Sequence, residues 1–154
     1  MPGGTFSTEL DLPIETIWDF VSDMNNWAPL VPGYIEHKIV NERQSTWKFK
    51  GDLGKIHKTV SMRIDITEWK EPTRVNFTLT GISENVTGNG YFEAKSITKY
   101  QTNMTGNLDV TAKGIMGPMV NPVLKSLIPK TAKRLTEAVA SQMLENQRVM
   151  ARGY

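Results

Sequence analysis

The sequence predicts an α+β protein in which an antiparallel sheet of about seven strands packs against one long C-terminal helix. Two observations carry this prediction. From Ile35 to Ala112 apolar and polar residues alternate, which is the period of strands that bury one face. From Leu124 to Met143 apolar residues recur every three or four positions, which is the period of an amphipathic helix. At 154 residues the chain has the length of one domain, and we expect residues 1–154 to form a single one.

The first part of the chain predicts one strand and two short helices. Phe6 to Leu12 has the pattern of an extended segment. Pro13 predicts a helix start, because a proline in the first turn gives up no needed hydrogen-bond donor. We expect this helix to end within Asp23 to Asn26 and Trp27 to Leu30 to add one more turn. The apolar residues at helical spacing in the first helix are Ile14, Ile17, Trp18 and Val21.

Six further strands form the predicted meander. Short turns join them, so each strand is antiparallel to the next, and one face of the sheet is polar. The residues on the other, inward face are Ile35, His37 and Ile39; Trp47 and Phe49; Val60, Met62, Ile64 and Ile66; Val75, Phe77 and Leu79; Gly88, Gly90, Phe92 and Ala94; and Met104, Leu108 and Val110.

The last predicted element is the long helix. Asn121 followed by Pro122 predicts its start, because asparagine caps helices and proline suits the first helical position. Pro129 lies inside the pattern and predicts a kink or a restart. This helix must cover the apolar face of the sheet, because no other element is left to do so.

Composition excludes several classes of function. The 18 Lys and Arg against 16 Asp and Glu give a formal charge of +2, too even for a nucleic-acid protein. No cysteine is present, so disulfides, thiolate metal sites and a cysteine nucleophile are excluded, and two histidines leave little for a metal centre. No targeting signal or membrane-spanning run is visible, which predicts a cytoplasmic protein. We expect no metal, no cofactor and no nucleic-acid partner.

The inward faces of the sheet and helix are almost free of charge. Composition alone fits a solid core, but the same residues would also line an apolar ligand cavity. The candidate ligand-binding residues are Trp47, Phe49, Val60, Met62, Ile64, Phe77, Leu79, Phe92, Met104, Leu108, Leu124, Ile128 and Leu135.

One end of the predicted sheet collects apolar turn residues. Alternate turns of a meander lie at the same end, and the turns at this end hold Lys50, Lys55 and Lys113 beside the apolar residues. We interpret the end as a cavity mouth that meets an anionic membrane or a partner; the alternative is that the tips fold inward and cap the core. The candidate mouth residues are Leu53, Ile82, Ile115, Met116 and Met119.

Few side chains are suited to catalysis. His57 has outward parity and is interpreted as a surface residue, whereas His37 has inward parity and is either a satisfied core histidine or a group that reaches the cavity. Lys58 shares the inward parity, either extending to the rim or pairing with a polar ligand head. No Ser-His-Asp order, paired carboxylate motif or phosphate-binding loop is present, so we predict no catalytic residue.

The order of elements and several short motifs resemble the helix-grip fold of the START-like superfamily, also called polyketide cyclase/dehydrase and lipid transport. The motifs are Leu12 to Phe20 with Asp23, Val31 to Tyr34, Glu71-Pro72, Gly81 to Ser83 with Gly88 to Gly90, and Gly114 to Pro118. Within the superfamily the chain looks most like the group of the G-type subunits of carbon monoxide dehydrogenase.

The resemblance implies an apolar ligand between sheet and helix, and it decides for a cavity over a solid core. Likeness to the G-type subunits of carbon monoxide dehydrogenase implies a lipid or quinone-like ligand and association with the inner face of the membrane. We therefore expect a carrier of a hydrophobic small molecule that makes transient membrane or oxidoreductase contact. Two alternatives remain: a cyclase or hydrolase that uses His37, and a ligand-free module that recruits an oxidoreductase complex.

Overall fold

A computed structural model describes residues 3–53 and 56–151, and the side chains of residues 3–51 and 58–150. The elements are β1 (Gly3–Leu10), α1 (Ile14–Val21), α2 (Met24–Trp27), a 3₁₀ turn (Ala28–Leu30), β2 (Tyr34–Ile39), β3 (Gln44–Leu53), β4 (Ile56–Lys70), β5 (Arg74–Gly81), β6 (Val86–Thr98), β7 (Gln101–Ala112) and α3 (Gly117–Ala151).

The seven strands form one antiparallel sheet in the order β1-β7-β6-β5-β4-β3-β2. Strands β2 to β7 are the predicted meander, with each strand paired to the next in sequence. Strand β1 comes from the other end of the chain and pairs with β7, from Gly3 opposite Asp109 to Leu10 opposite Thr102. The predicted fold class, a seven-stranded antiparallel sheet with a long C-terminal helix, is confirmed.

The two short helices are present, with boundaries that differ slightly from the prediction. Pro13 is the N-cap of α1, and its carbonyl accepts a hydrogen bond from the backbone N–H of Thr16. Asp23 was expected to end this helix region, but it begins α2 instead, since its carboxylate accepts a hydrogen bond from Asn25 N at 3.0 Å. The turn predicted at Trp27 to Leu30 is the 3₁₀ turn that follows α2.

Helix α3 begins at Gly117, earlier than the predicted start at Asn121. The side chain of Asn121 does not cap this helix. It pairs with the last residue of β7, accepting from Ala112 N at 2.8 Å and donating to Ala112 O at 3.0 Å. The helix assignment also continues through Pro122 and Pro129, where the sequence predicted a kink or restart at Pro129. Contact with β1 and β7 along its length supports α3 across these prolines.

The core lies between the inner face of the sheet and the helices. Ile17 from α1, Met104 from β7 and Met143 from α3 are its most completely buried large side chains. Among the described residues no helix combines the length and the hydropathy of a membrane span.

Candidate functional site

Helix α3 comes closest to the sheet at two glycines. A Cβ at Gly4 in β1 would lie 2.4 Å from the Cα of Pro129, and a Cβ at Gly106 in β7 would lie 2.3 Å from the Oγ1 of Thr136. Real side chains do not allow either distance, so these two positions need glycine for the helix to approach. The helix therefore packs closely on β1 and β7, at one side of the sheet.

A cavity of about 80 Å³ lies between α3 and strands β5, β6 and β7, beyond this close contact. Its walls are almost entirely apolar, and the first two helices complete them. The lining residues are Val21, Trp27, Val75, Phe77, Tyr91, Phe92, Gly106, Asn107, Leu108, Ala132, Leu135, Thr136 and Val139. None of them is a histidine, a carboxylate, a lysine or an arginine.

The few polar side chains on the cavity wall are engaged elsewhere. The hydroxyl of Thr136 donates to the carbonyl of Ala132 at 2.7 Å. The guanidinium of Arg74 stacks over the ring of Tyr91, 4.1 Å from its centroid. The amide of Asn107 accepts a hydrogen bond from the Thr5 hydroxyl at 2.7 Å. The cavity can therefore offer apolar contact but little hydrogen bonding.

Four of the thirteen predicted ligand-binding residues line this cavity: Phe77, Phe92, Leu108 and Leu135. All four are half-buried, whereas most of the other predicted residues are fully buried. Those that pack in the core without lining the cavity are Trp47, Phe49, Val60, Met62, Ile64, Leu79, Met104, Leu124 and Ile128. The structure thus divides the predicted set into a cavity wall and a packed core.

Sequence reasoning missed several lining residues for two reasons. Ala132 and Thr136 lie one helical turn from Leu135 and Val139, so the apolar stripe on α3 was a usable signal for them. Trp27 carries no such signal. Its position depends on how α2 packs against the sheet, where its ring lies 5.4 Å from that of Trp47.

The predicted mouth residues gather at one end of the sheet but do not line the cavity. Ile82, Ile115, Met116 and Met119 are 61, 96, 49 and 68% exposed. We call these four residues the apolar tip cluster. Lys113 N donates to Asn85 O at 2.8 Å, which joins the β5–β6 turn to the β7–α3 connection. The side chain of the fifth predicted mouth residue, Leu53, lies outside the described residues, as do those of Lys55 and His57.

Buried side chains separate the apolar tip cluster from the cavity. Leu124 and Ile128 are buried on the part of α3 between Met119 and Ala132. The tips also do not fold inward over the core, which was the alternative interpretation of the sequence. The apolar tip cluster and the cavity are therefore two separate features of the described residues.

His37 lies in a hydrogen-bonded cluster and does not line the cavity. Its Nδ1 is 2.7 Å from the hydroxyl of Tyr34, and its Nε2 is 2.6 Å from the Oδ1 of Asn25. Both ring nitrogens therefore have partners within the protein. Lys58 is exposed, and its ammonium forms an ion pair with Glu84 at 2.5 Å.

A second depression, a surface groove of about 290 Å³, lies beside α2. It is lined by Ser22, Asp23, Met24, Asn25, Ile39, Glu42 and Trp69. Its two carboxylates do not make a metal site, and the described residues contain no group of three or more His, Asp or Glu side chains placed to hold a metal ion.

Comparison with known proteins agrees with the observed fold. A family model described only as "-like" matches residues 1–147. A comparison with curated proteins gave no match.

Solved structures with a similar fold come from several bacteria. A conserved protein from Geobacillus kaustophilus has a TM-score of 0.79 and 14% identity, covering 93% of this chain and 95% of that one. The ZhuI aromatase/cyclase from Streptomyces sp. R1128 has a TM-score of 0.73 and 14% identity, covering 98% and 97%. A START superfamily protein from Mycobacterium smegmatis has a TM-score of 0.73 and 18% identity, covering 93% and 97%. At these identities the likeness establishes a shared fold.

Proposed function

We propose that this chain, which belongs to the family whose model spans residues 1–147 and has the helix-grip fold of the START superfamily, binds a hydrophobic small molecule in the cavity between the sheet and α3. The observation that carries the proposal is the apolar cavity itself. Burial of apolar ligand surface there contributes about 25 cal/mol per Å², before the costs of binding are subtracted. The cavity wall offers no titratable acid or base beyond the tyrosine, so we propose binding without chemical change.

Lipids and quinones are the two ligand classes that we propose. Both carry long apolar chains that suit an apolar wall. The sequence resemblance to the G-type subunits of carbon monoxide dehydrogenase adds the quinone, and with it a transient contact with an oxidoreductase complex. The likeness of this fold to an aromatase/cyclase leaves a cyclase or hydrolase as the competing function.

Ligand binding can be followed through Trp27, which lines the cavity. We expect dodecanoate and a short-chain ubiquinone to change the intrinsic tryptophan fluorescence with saturation, and native mass spectrometry to show one bound molecule. Ala132→Leu places a larger side chain in the cavity and should abolish binding. Ala140→Leu is the matched control, because Ala140 is also buried on α3 but does not line the cavity.

Binding that survives Ala132→Leu would contradict a site in this cavity. If neither ligand binds, the proposal of a hydrophobic carrier fails, and a ligand-free interaction module takes its place. If a bound substrate is converted and His37→Ala stops the conversion, the enzyme alternative holds instead.

The apolar tip cluster supports a second, finer proposal, that this end of the molecule contacts an anionic membrane surface. Ile115 and Met119 expose most of their side chains to water, at an end where the exposed lysines Lys50 and Lys113 add positive charge. A lysine near an anionic bilayer contributes about 1 kcal/mol. The one described carboxylate in the β5–β6 turn, Glu84, is paired with Lys58 and so does not offset this charge.

Vesicle flotation tests the membrane proposal. We expect the protein to float with phosphatidylglycerol vesicles and the double variant Ile115→Ser/Met119→Ser to remain in solution. The matched control is Ile97→Ser/Tyr100→Ser, which changes two exposed apolar residues, 49 and 67% exposed, in the β6–β7 region at the opposite end of the sheet. Equal flotation of both double variants would contradict the proposed surface.

A further inference from the structure

The size of the cavity limits which part of a ligand it can hold. One water molecule in the liquid occupies about 30 Å³, and an engineered apolar cavity that binds benzene measures about 150 Å³. The cavity of about 80 Å³ is roughly half as large as that. It has room for a short aliphatic segment of about three carbons, but not for an aromatic ring.

The hydrogen-bond accounting limits the chemistry of that part. Thr136 contributes the one side-chain hydroxyl of the α3 wall; its hydrogen is donated to Ala132 O, and its oxygen lies against Gly106. The strand residues of the wall are paired with neighbouring strands, with Phe77 opposite Gly90 and Phe92 opposite Gly106. Their backbone groups are therefore used within the sheet.

Tyr91 and Asn107 do not supply hydrogen bonds to the cavity either. In a strand, successive side chains point to opposite faces, so these two residues face away from the inward-facing Phe92 and Leu108. Their partners lie on the outer face: Arg74 covers the ring of Tyr91, and Asn107 donates to Asp109 at 3.1 Å. A polar atom buried in the cavity would lose its water without gaining a partner.

We infer that the cavity selects the aliphatic end of a ligand chain, which enters first and carries no hydrogen-bonding atom, while the polar head stays outside. This inference rests on the proposed function and narrows it. It favours acyl or isoprenoid chains over ring systems that carry hydroxyl groups along their length.

Three fatty acids that differ only in one hydroxyl group test the inference: dodecanoate, 2-hydroxydodecanoate and 12-hydroxydodecanoate. We expect the first two to bind equally, since the 2-hydroxyl lies beside the head. The 12-hydroxyl would be buried, so we expect at least tenfold weaker binding, which corresponds to about 1.4 kcal/mol. Thr136→Val should leave dodecanoate binding unchanged, because the hydroxyl makes no bond to the ligand.

The outcomes separate the inference from the function on which it rests. If the 12-hydroxy acid binds as tightly as dodecanoate, or if both hydroxy acids are weakened equally, the end of the chain does not enter the cavity and the inference is overturned while the carrier function stands. If neither the three acids nor the short-chain ubiquinone bind, the proposed function is overturned and the inference falls with it.

Discussion

Filling the cavity should stabilise the protein while it removes the binding site. An empty cavity destabilises a fold by about 24 cal/mol per Å³. For a cavity of about 80 Å³ this amounts to about 2 kcal/mol. Ala132 is buried on its wall, and Ala132→Leu adds carbon atoms that can occupy the space. If the leucine recovers about half of the cavity cost, the free energy of unfolding rises by about 1 kcal/mol, and Tm rises by about 2–4 °C for a chain of this size.

Urea denaturation and differential scanning calorimetry, both without ligand, measure this change. The control Ala140→Leu should lower the free energy of unfolding by about 1–3 kcal/mol, because Ala140 is buried where no such space exists. The pair of variants must therefore shift stability in opposite directions. Equal destabilisation by the two leucines would refute the reasoning, since it would mean that the space beside Ala132 is already filled.

Two further predictions concern how α3 is held to the sheet. Gly106→Ala should destabilise the fold by about 1–3 kcal/mol, because its Cβ would lie 2.3 Å from the Thr136 hydroxyl oxygen. Adding Thr136→Ala removes that oxygen and should restore most of the loss, a coupling that a double-mutant cycle in urea measures; losses that simply add would contradict the proposed clash. Asn121→Ala should cost about 1–3 kcal/mol, since it leaves the N–H and carbonyl of Ala112 without their side-chain partners, and a change within error by thermal unfolding would argue against this link.

The sheet and its covering helix were predictable because their signals are local. Alternation along each strand reports which face is buried, and short turns leave only antiparallel neighbours for β2 to β7. The start of α3 was not predictable in the same way. Asn121 has the local signature of a cap, but its side chain pairs with Ala112 of β7, a partner that exists only once the strand and helix have packed together.

The candidate site was predictable only in part. Phe77, Phe92, Leu108 and Leu135 were expected on inward faces and lie on the cavity wall. Which inward residues pack solidly and which leave a space depends on the distance between helix and sheet, and the sequence pattern contains no measure of that distance. It follows from close contacts such as the one between Gly4 and Pro129.

The pairing of β1 with β7 sets an order for folding. It joins residues 92 to 106 positions apart in sequence, so closing it costs more chain entropy than any turn of the meander. Since α3 packs on these two strands, its final position must wait for the first strand to arrive. A ligand site bordered by no residue of β1 thus depends on the N-terminal segment for its existence, and a chain still emerging from the ribosome cannot hold cargo until its last helix has docked on its first strand.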